Sequence, residues 1–188
     1  IMGGAALSPE LTRFLLNIGA PLYVGYGLTE SSPVAACNAP GMSRPGSVGP
    51  AWPGVELKIG ARDEILVRGA GVMRGYHKDP AATMAAIDAD GWLHTGDCGK
   101  LDADGYLTIT GRLKELFKTS NGKYVCPVPI EQALVASGLI DQAMVVAEGR
   151  PYPTALLFIA PEALARAKVR LGGASQDDAA FIAGTALT

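Results

Sequence analysis

The chain has 188 residues with a formal net charge of −2, and 48% of them are hydrophobic while 18% are charged. This composition is typical of a folded globular protein, and the small net charge provides no basic field for nucleic acid. No apolar run approaches the roughly 18 residues that a membrane-spanning helix needs, so we expect a cytoplasmic protein without a transmembrane segment or a nucleic-acid partner.

The cysteines and histidines of the sequence are scattered. Cys37, Cys98 and Cys126 lack the paired spacing of zinc sites, and we interpret them as reduced thiols in a cytoplasmic protein. His77 and His94 also lack ligand spacing and are interpreted as structural. The sequence therefore predicts neither a disulfide framework nor a histidine-based metal site.

The first predicted element is a helix that begins at Ser8. Ser8 is a typical N-cap, Pro9 suits the first helical position, and apolar residues then recur on one helical face until Gly19. The short apolar run from Pro21 to Val24 predicts a buried strand that leads into a loop. A loop at the end of a buried strand is the usual place for a ligand in an α/β domain.

This loop runs from Gly25 to Ser32 and contains residues that suit a ligand site. Its glycines allow the backbone to approach a ligand, and Tyr26 offers a flat ring, while Thr29 and Glu30 place a hydroxyl beside a carboxylate. It lacks the third glycine of a dinucleotide-binding loop, and no GxxxxGK[ST] phosphate loop occurs in the sequence. From the residues alone, a ligand loop and a structural turn remain alternatives.

Strands dominate the next region, from residue 46 to residue 110. The predicted strands are Val55–Ile59, Glu64–Arg68 and Tyr106–Thr110. One helix is predicted between them, from Pro80 to about Ile87, with Asp79 as its N-cap. Two Asp-Ala-Asp-Gly segments, at 88–91 and 102–105, are predicted to be turns, because they lack the glycine and glutamate positions of a calcium loop.

The composition changes after Gly111. Residues 112–123 contain four lysine or arginine side chains but only one carboxylate. This change in composition indicates a boundary between two units, 1–111 and 112–188. The second part predicts a hairpin around Asn121-Gly122, a helix that begins near Pro127, and two strands, which together form a small β-β-α-β-β unit. The strands are at 144–147 and 154–159, and further helical segments are predicted at 161–168 and 177–185.

Four short motifs occur in the order that is typical of the adenylate-forming enzymes. They are Gly3-Gly4-Ala5, Tyr26-Gly27-Leu28-Thr29-Glu30, Gly91-Trp92-Leu93-His94-Thr95-Gly96-Asp97 and Gly111-Arg112-Leu113-Lys114-Glu115-Leu116. The chain therefore resembles this family, which includes acyl-CoA synthetases, firefly luciferases and the adenylation domains of peptide synthetases. The resemblance extends from residue 1 to about residue 160, and four motifs at compatible spacing are far more specific than one. The segment from Thr119 to Glu131 is most similar to long-chain fatty acyl-CoA synthetases.

The resemblance implies a fold class between α/β and α+β. Residues 1–111 would form the end of the large AMP-binding domain, with a helix, a strand and a strand-rich subdomain. Residues 112–188 would form a small, incomplete α+β C-terminal domain. The implied activity is ATP-dependent activation of a carboxylic acid, most similar to a long-chain fatty acid, through an acyl-adenylate to acyl-CoA. ATP, Mg²⁺ and CoA are the implied cofactor and co-substrates.

The resemblance also implies which residues bind the nucleotide. They are Gly4, Ala5, Tyr26, Gly27, Asp97 and Arg112. Tyr26 would stack on adenine, Asp97 would accept hydrogen bonds from both ribose hydroxyls, and Arg112 would donate to the same ribose; each side chain has the required donors or acceptors. Taken alone, Asp97 also suits a structural turn with the glycine before it.

Further roles are implied for catalysis. Thr29 would bind the α-phosphate, and Glu30 would hold Mg²⁺, a cation that takes carboxylate and phosphate oxygens. Lys114 would be the hinge between two conformations of the C-terminal domain, and Lys118 would lie on the face used in thioester formation. Gly122 would leave room for the pantetheine thiol. For both lysines, a solvated strand edge is the alternative.

Two features of the family are absent from the sequence. There is no Gly- and Ser/Thr-rich phosphate loop and no late lysine in a Pro-x-Gly-Lys context. We therefore interpret the chain as an inactive fragment of a cytoplasmic parent, for which peripheral membrane association stays open. The alternatives are a non-catalytic nucleotide- or partner-binding module of the same fold and an adenylation domain that loads a carrier protein.

Overall fold

The computed structural model describes residues 2–4, 7–171, 177–179 and 182. Contacts within the chain divide it into two compact units, Ile1–Lys114 and Glu115–Thr188, which we call unit 1 and unit 2 and describe separately. Among the described residues, no helix combines the length and the apolar character needed to cross a bilayer.

Unit 1 begins with helix α1, Pro9–Asn17, which confirms the helix predicted from Ser8. The Ser8 hydroxyl oxygen accepts a hydrogen bond of 3.1 Å from the Leu11 N–H, as expected of an N-cap. The apolar face that the spacing predicts is present, but Leu11, Phe14 and Ile18 on it are exposed, while Thr12 is buried. The periodicity therefore predicted the helix without indicating which side is covered.

The predicted strand from Pro21 to Val24 is wrong by a few residues. Strand β1 is Gly25–Tyr26, and it pairs in antiparallel register with strand β2, Ala36–Cys37. Val24 makes only a single bridge, to Met2. A strand requires a continuous run of hydrogen bonds to a neighbour, and among the described residues the paired run with β2 begins at Gly25.

A four-stranded antiparallel sheet follows, with its strands in chain order. The strands are β3 (Val55–Ile59), β4 (Glu64–Gly69), β5 (Leu93–Leu101) and β6 (Leu107–Arg112). The sequence predicted three of them but not β5, although it is the longest. Helix α2, Pro80–Ala86, lies between β4 and β5 in the chain, and Asp79 caps it as predicted, accepting a hydrogen bond of 2.9 Å from the Ala82 N–H.

The core of unit 1 joins this sheet to the β1–β2 pair. Its buried members are Tyr26, Ala35, Ala36, Ile65, Val67, Leu93 and Leu107. The hydrophobic effect favours this arrangement because central strands bury apolar side chains that alternate along them. The loop that contains Tyr26 is therefore fixed to the sheet through the core.

Both Asp-Ala-Asp-Gly segments are turns, as predicted. Asp88 Oδ1 accepts hydrogen bonds from the N–H groups of Asp90 and Trp92, at 3.0 and 2.8 Å. Asp102 Oδ1 makes the same pair of bonds two and four residues ahead, also at 3.0 and 2.8 Å. The repeated geometry shows that these acids organise their own backbone.

Between Glu115 and Leu171, unit 2 forms two strand pairs and two helices. Its elements are β7 (Phe117–Lys118), β8 (Tyr124–Val125), α3 (Pro127–Val135), β9 (Ile140–Val146), β10 (Thr154–Ile159) and α4 (Pro161–Arg170). Strand β7 pairs with β8 across the predicted Asn121-Gly122 hairpin, and β9 pairs with β10. The predicted β-β-α-β-β order is thus confirmed, whereas most of the helix predicted at 177–185 lies outside the described residues.

Helix α3 packs against β9. Its Glu131 accepts a hydrogen bond of 2.8 Å from the Val145 N–H, and Val145 is buried. On the opposite face of this strand pair, Met144 and Leu156 are direct neighbours on adjacent strands. Both side chains are exposed. The described residues therefore cover only one face of the β9–β10 sheet.

Candidate functional site

Asp97, on strand β5, is the centre of a group of interacting side chains. The residue is only 7% exposed. Its Oδ2 accepts a hydrogen bond of 2.9 Å from the Tyr26 hydroxyl, and its Oδ1 lies 3.2 Å from Nε of Arg112. The β5–β6 register places Asp97 directly opposite Arg112, so the sheet maintains this ion pair. The structure thus brings together three of the residues predicted to bind the nucleotide.

Tyr26 is held in its neutral form by this environment. Burial raises its pKa above the ordinary value for tyrosine, and the negative charge of Asp97 raises the pKa further. The hydroxyl therefore remains a donor to Asp97 at physiological pH. Most of the ring is buried in the core of unit 1. Stacking on adenine stays a prediction, while the hydrogen bond to Asp97 is a role that the sequence did not indicate.

Asp97 lies within strand β5 and not in the turn that the sequence left as its alternative, and the residues before it are anchored to strand β4. The Thr95 hydroxyl donates to the Ile65 carbonyl oxygen at 2.7 Å and accepts from the Asp97 N–H at 3.1 Å. Buried Glu64 accepts a hydrogen bond of 3.1 Å from the Gly96 N–H, and its other oxygen lies 2.9 Å from Nδ1 of His94. These contacts fix the backbone on both sides of the Asp97 carboxylate, which agrees with a structural role for His94.

The two predicted glycine motifs lie beside each other. The Met2 N–H donates to the Tyr23 carbonyl oxygen at 2.8 Å, and the Gly25 N–H donates to the Met2 carbonyl oxygen at 2.9 Å. Gly3 and Gly4 follow Met2 in the chain, and Ala5 lies outside the described residues. A Cβ atom at Gly27 would lie 1.9 Å from the Pro33 carbonyl oxygen, so this position accepts only glycine.

Thr29 and Glu30 lie on a short 3₁₀ turn, Thr29–Ser31. Buried Ser31 fixes the turn, because its hydroxyl accepts from the Leu28 N–H at 2.9 Å and donates to the Leu28 carbonyl oxygen at 3.1 Å. Thr29 is exposed and Glu30 is half-buried. The turn therefore directs a hydroxyl and a carboxylate to neighbouring positions. Tyr76, which the sequence did not indicate, donates a hydrogen bond of 3.0 Å to Oε1 of Glu30.

The donor set around Glu30 fits Mg²⁺ better than a metal held by protein ligands alone. Among the described residues, no cluster of three or more His, Cys, Asp or Glu side chains could hold a metal ion. Mg²⁺ bound with a nucleotide typically takes one or two protein carboxylates, with phosphates and water completing its shell. A single carboxylate beside the Thr29 hydroxyl agrees with that pattern.

The residues predicted to act in the second half-reaction lie at the unit boundary and within unit 2. Lys114 is exposed, in a 3₁₀ turn at the end of unit 1. Lys118 is exposed on β7, where its N–H donates to Oε2 of Glu148 at 3.1 Å. Gly122 has a φ of +82°, which favours glycine, although a Cβ there would meet no atom within 4 Å. The roles of these residues stay predictions.

Comparison with known families gives two matches along the chain. The model for AMP-binding enzyme matches residues 1–77, and the model for AMP-binding enzyme C-terminal domain matches residues 115–172. Four of the predicted nucleotide-binding residues, Gly4, Ala5, Tyr26 and Gly27, lie within the first match. Lys118 and Gly122 lie within the second.

Curated relatives include long-chain fatty-acid–CoA ligases. FadD15 of Mycobacterium bovis (strain ATCC BAA-935 / AF2122/97) is 43% identical over 183 residues, which are 96% of this chain and 30% of that protein. ACSBG1 of Homo sapiens is 42% identical over 163 residues, which are 84% of this chain and 22% of that protein. The chain therefore spans less than a third of the length of either relative.

Solved structures show the same fold. The ATP-bound RpMatB-BxBclM chimera B1 superposes with a TM-score of 0.73 at 32% identity, over 85% of this chain and 35% of that one. O-succinylbenzoate coenzyme A synthetase (MenE) of Bacillus subtilis, in complex with ATP and magnesium ion, gives 0.71 at 29% identity, over 84% and 35%. Both likenesses confirm the predicted mixed α/β fold class.

Proposed function

The chain belongs to the AMP-binding enzyme family, and from this premise we propose that it is part of an ATP-dependent ligase that activates a long-chain fatty acid. The reaction would proceed through an acyl-adenylate to acyl-CoA. The observation that carries the proposal is the joined group of Tyr26, Asp97 and Arg112, because it presents an oriented carboxylate and a cation at one place. The long-chain acyl substrate is favoured by the FadD15 and ACSBG1 relatives.

In this proposal, Asp97 binds the ribose of ATP. An ionised carboxylate has about four acceptor positions, and Tyr26 and Arg112 use one on each oxygen. Acceptor capacity therefore remains on both oxygens for the two ribose hydroxyls. Because the carboxylate is already oriented by its neighbours, little conformational entropy is lost when the ribose binds.

Arg112 contributes a fixed positive charge to the same site. Its side chain is 67% exposed, and its Nε lies 3.2 Å from Oδ1 of Asp97. A guanidinium has five N–H donors, so the others can reach the ribose or the phosphates. Pairing with Asp97 on the neighbouring strand sets the direction of the side chain without using all of its donors.

Thr29 and Glu30 form the phosphate-binding part of the proposed site. The exposed Thr29 hydroxyl can donate to the α-phosphate, and Glu30 can hold Mg²⁺ through its carboxylate. When bound, Mg²⁺ would neutralise charge on the phosphates of ATP. The MenE complex with ATP and magnesium ion supports this assignment by likeness.

Thioester formation is assigned to the later part of the chain. Lys114 would act as the hinge residue, Lys118 would contact the reactants of the second half-reaction, and Gly122 would leave space for the thiol of CoA. The boundary between the two proposed domains would lie near residues 111–112. Exposure of both lysines and the open space at Gly122 support these roles.

The proposal predicts a large and selective effect of Asp97→Ala in a full-length ligase that contains this sequence. Two hydrogen bonds to the ribose would be lost, each worth about 1.5–3 kcal/mol when one partner is charged. We expect the KM for ATP to rise by about a hundredfold or more, with little change in the KM for CoA, measured by steady-state kinetics. Asp104→Ala, which alters an exposed turn aspartate, is the control and should leave both constants unchanged.

Two further results would show whether Asp97 binds the nucleotide and whether the 188-residue chain is catalytic by itself. If Asp97→Ala lowers the melting temperature but leaves nucleotide affinity unchanged, Asp97 has only a structural role in strand β5 and the site is wrongly assigned. In the same study, we expect the 188-residue chain alone to give no fatty-acid-dependent exchange of pyrophosphate into ATP. Exchange above background would show that the chain is itself a complete catalyst.

A further inference from the structure

Tyr76 makes the side-chain contact that fixes Glu30. Its hydroxyl donates a hydrogen bond of 3.0 Å to Oε1 of Glu30, 46 positions earlier in the chain. Among the described residues, Oε2 of Glu30 receives no hydrogen bond and no ion pair. One oxygen of the carboxylate is therefore held, while the other remains available to a ligand.

The backbone around Tyr76 is fastened to the turn that contains Glu30. The Met73 N–H donates to the Glu30 carbonyl oxygen at 2.8 Å. A Cβ atom at Gly71 would lie only 3.0 Å from the Ser31 carbonyl oxygen, so the two segments are in close contact. The contact between Tyr76 and Glu30 is thus part of a continuous interface between residues 71–76 and the 3₁₀ turn.

Helix α2 fixes Tyr76 from the other side. The Tyr76 N–H donates to the Thr83 hydroxyl oxygen at 2.9 Å, and that hydroxyl donates to the Asp79 carbonyl oxygen at 2.8 Å. The backbone of Tyr76 is therefore tied to the first turns of the helix, while its exposed side chain is directed towards Glu30 by the hydrogen bond between them. The position of the Glu30 carboxylate is thereby linked to the fold of unit 1.

We infer that Tyr76 is a positioning residue that holds the Glu30 carboxylate in place for the cation bound with the nucleotide. The inference rests on the proposed function, because it assumes that Glu30 meets this cation. Tyr76 acts through Glu30 and is not itself assigned a contact with substrate. Tyr76 lies in the segment between β4 and α2, outside the four motifs that carry the family resemblance.

The chemistry of the two groups favours this role. A lysine or arginine beside Glu30 would cancel part of its negative charge, whereas a neutral hydroxyl orients the carboxylate and leaves the charge available to a cation. Tyr76 is exposed, and its hydrogen bond to Glu30 raises its pKa above the ordinary value for tyrosine. The hydroxyl therefore stays neutral and continues to donate across the physiological pH range.

The test is Tyr76→Phe in a full-length ligase, which removes one hydroxyl and keeps the ring. Mn²⁺ is used as the probe in place of Mg²⁺, and its binding to the enzyme with a non-hydrolysable ATP analogue is measured by electron paramagnetic resonance. We expect Mn²⁺ to bind about tenfold more weakly, because a hydrogen bond to a charged group is lost. Binding of the analogue without metal should be unchanged. Tyr152→Phe, which alters an exposed tyrosine of unit 2, is the matched control.

Comparison with Glu30→Gln separates the possible outcomes. Glu30→Gln should weaken Mn²⁺ binding more than Tyr76→Phe does, and the double variant should be no weaker than Glu30→Gln alone, since Tyr76 acts only through Glu30. If Tyr76→Phe has no effect, or if its effect adds fully to that of Glu30→Gln, the positioning role is overturned and the metal assignment survives. If Glu30→Gln itself binds Mn²⁺ normally, the assignment of Glu30 in the proposed function fails, and the role of Tyr76 fails with it.

Discussion

The sheets of the two units are both antiparallel and rich in apolar residues, yet their side chains lie in different environments. In the four-stranded sheet of unit 1, Leu93 is 1% exposed and lies in a continuous core. In the two-stranded β9–β10 sheet of unit 2, Leu156 is 68% exposed, and Met144 and Phe158 beside it are exposed too. The difference shows that strand pattern and composition do not determine burial, since burial depends on which elements cover each face.

The candidate site residues follow the same division. Asp97 lies on β5, a central strand of the well-buried sheet, and Arg112 lies on the neighbouring strand β6. Tyr26 belongs to the core of unit 1 and donates a hydrogen bond to Asp97. Lys118 lies on a strand of two residues in the smaller unit, and Lys114 lies in the turn at the end of unit 1. Groups that bind a nucleotide benefit from a rigid support, whereas a hinge requires backbone freedom. The two regions therefore suit different steps of the proposed reaction.

The largest expected effect is a loss of thioester formation when the backbone is restricted at Lys114, at the end of unit 1. Lys114→Pro in a full-length ligase fixes φ at about −65° and also restricts Leu113 before it. If Lys114 is the hinge, adenylation measured by pyrophosphate exchange should keep much of its rate. Thioester formation from pre-formed acyl-adenylate and CoA should fall by about a hundredfold or more.

Lys114→Ala is the matched control for this experiment, because it removes the ammonium group and leaves the backbone free. It should retain both half-reactions. Circular dichroism and thermal melting must show that the proline variant is folded. With the fold intact, an equal loss of both half-reactions would remove the hinge assignment and would also weaken the contrast between the two units.

The sequence predicted those features that depend on neighbouring residues. The caps at Ser8 and Asp79 and the two aspartate turns were confirmed, because each is formed by hydrogen bonds within about four residues. Strand β5 was missed because Gly96 and Gly99 interrupt its apolar pattern. A Cβ atom at Gly99 would lie 2.7 Å from the Thr108 carbonyl oxygen, so the glycine reflects close strand packing that one strand cannot reveal.

Contacts between distant residues could not be predicted from local patterns. Family resemblance supplied Tyr26, Glu30 and Asp97 as candidate residues, but no motif indicates that Tyr26 bonds to Asp97 across 71 positions. The bond from Tyr76 to Glu30 spans 46 positions and depends equally on the tertiary fold. The sequence thus indicated residues of the site, while their mutual support is visible only in the structure.

The second prediction tests the difference in burial directly. Leu93→Ala should lower the free energy of unfolding of unit 1 by about 2–5 kcal/mol, because it removes buried methyl groups and leaves a cavity. The same change at Leu156 should cost no more than about 0.5 kcal/mol, as expected of an exposed position. Denaturation followed by tryptophan fluorescence reports on unit 1, which contains both Trp52 and Trp92.

Amide hydrogen exchange of residues in β9 and β10 reports on unit 2 in the same samples. A loss of several kcal/mol for Leu156→Ala would show that its side chain is covered in solution. In that case the contrast between the two sheets would not hold. A loss near zero for Leu93→Ala would contradict the burial of the β5 strand.

The smallest expected effect is the loss of stability when a glycine with positive φ is replaced by alanine. This loss should be equal in the two units. Gly96 in unit 1 and Gly122 in unit 2 have φ values of +71° and +82°, and a Cβ at either would meet no atom within 4 Å. Replacement by alanine should therefore cost only the local backbone strain of a left-handed residue, about 1–2 kcal/mol in each case, measured by the same two methods. Gly122→Asn should cost less than Gly122→Ala, since asparagine tolerates this conformation better. A much larger loss at Gly96 alone would mean that its neighbours Glu64 and Thr95 cannot adjust, and that the part of β5 before Asp97 is as tightly constrained as the core.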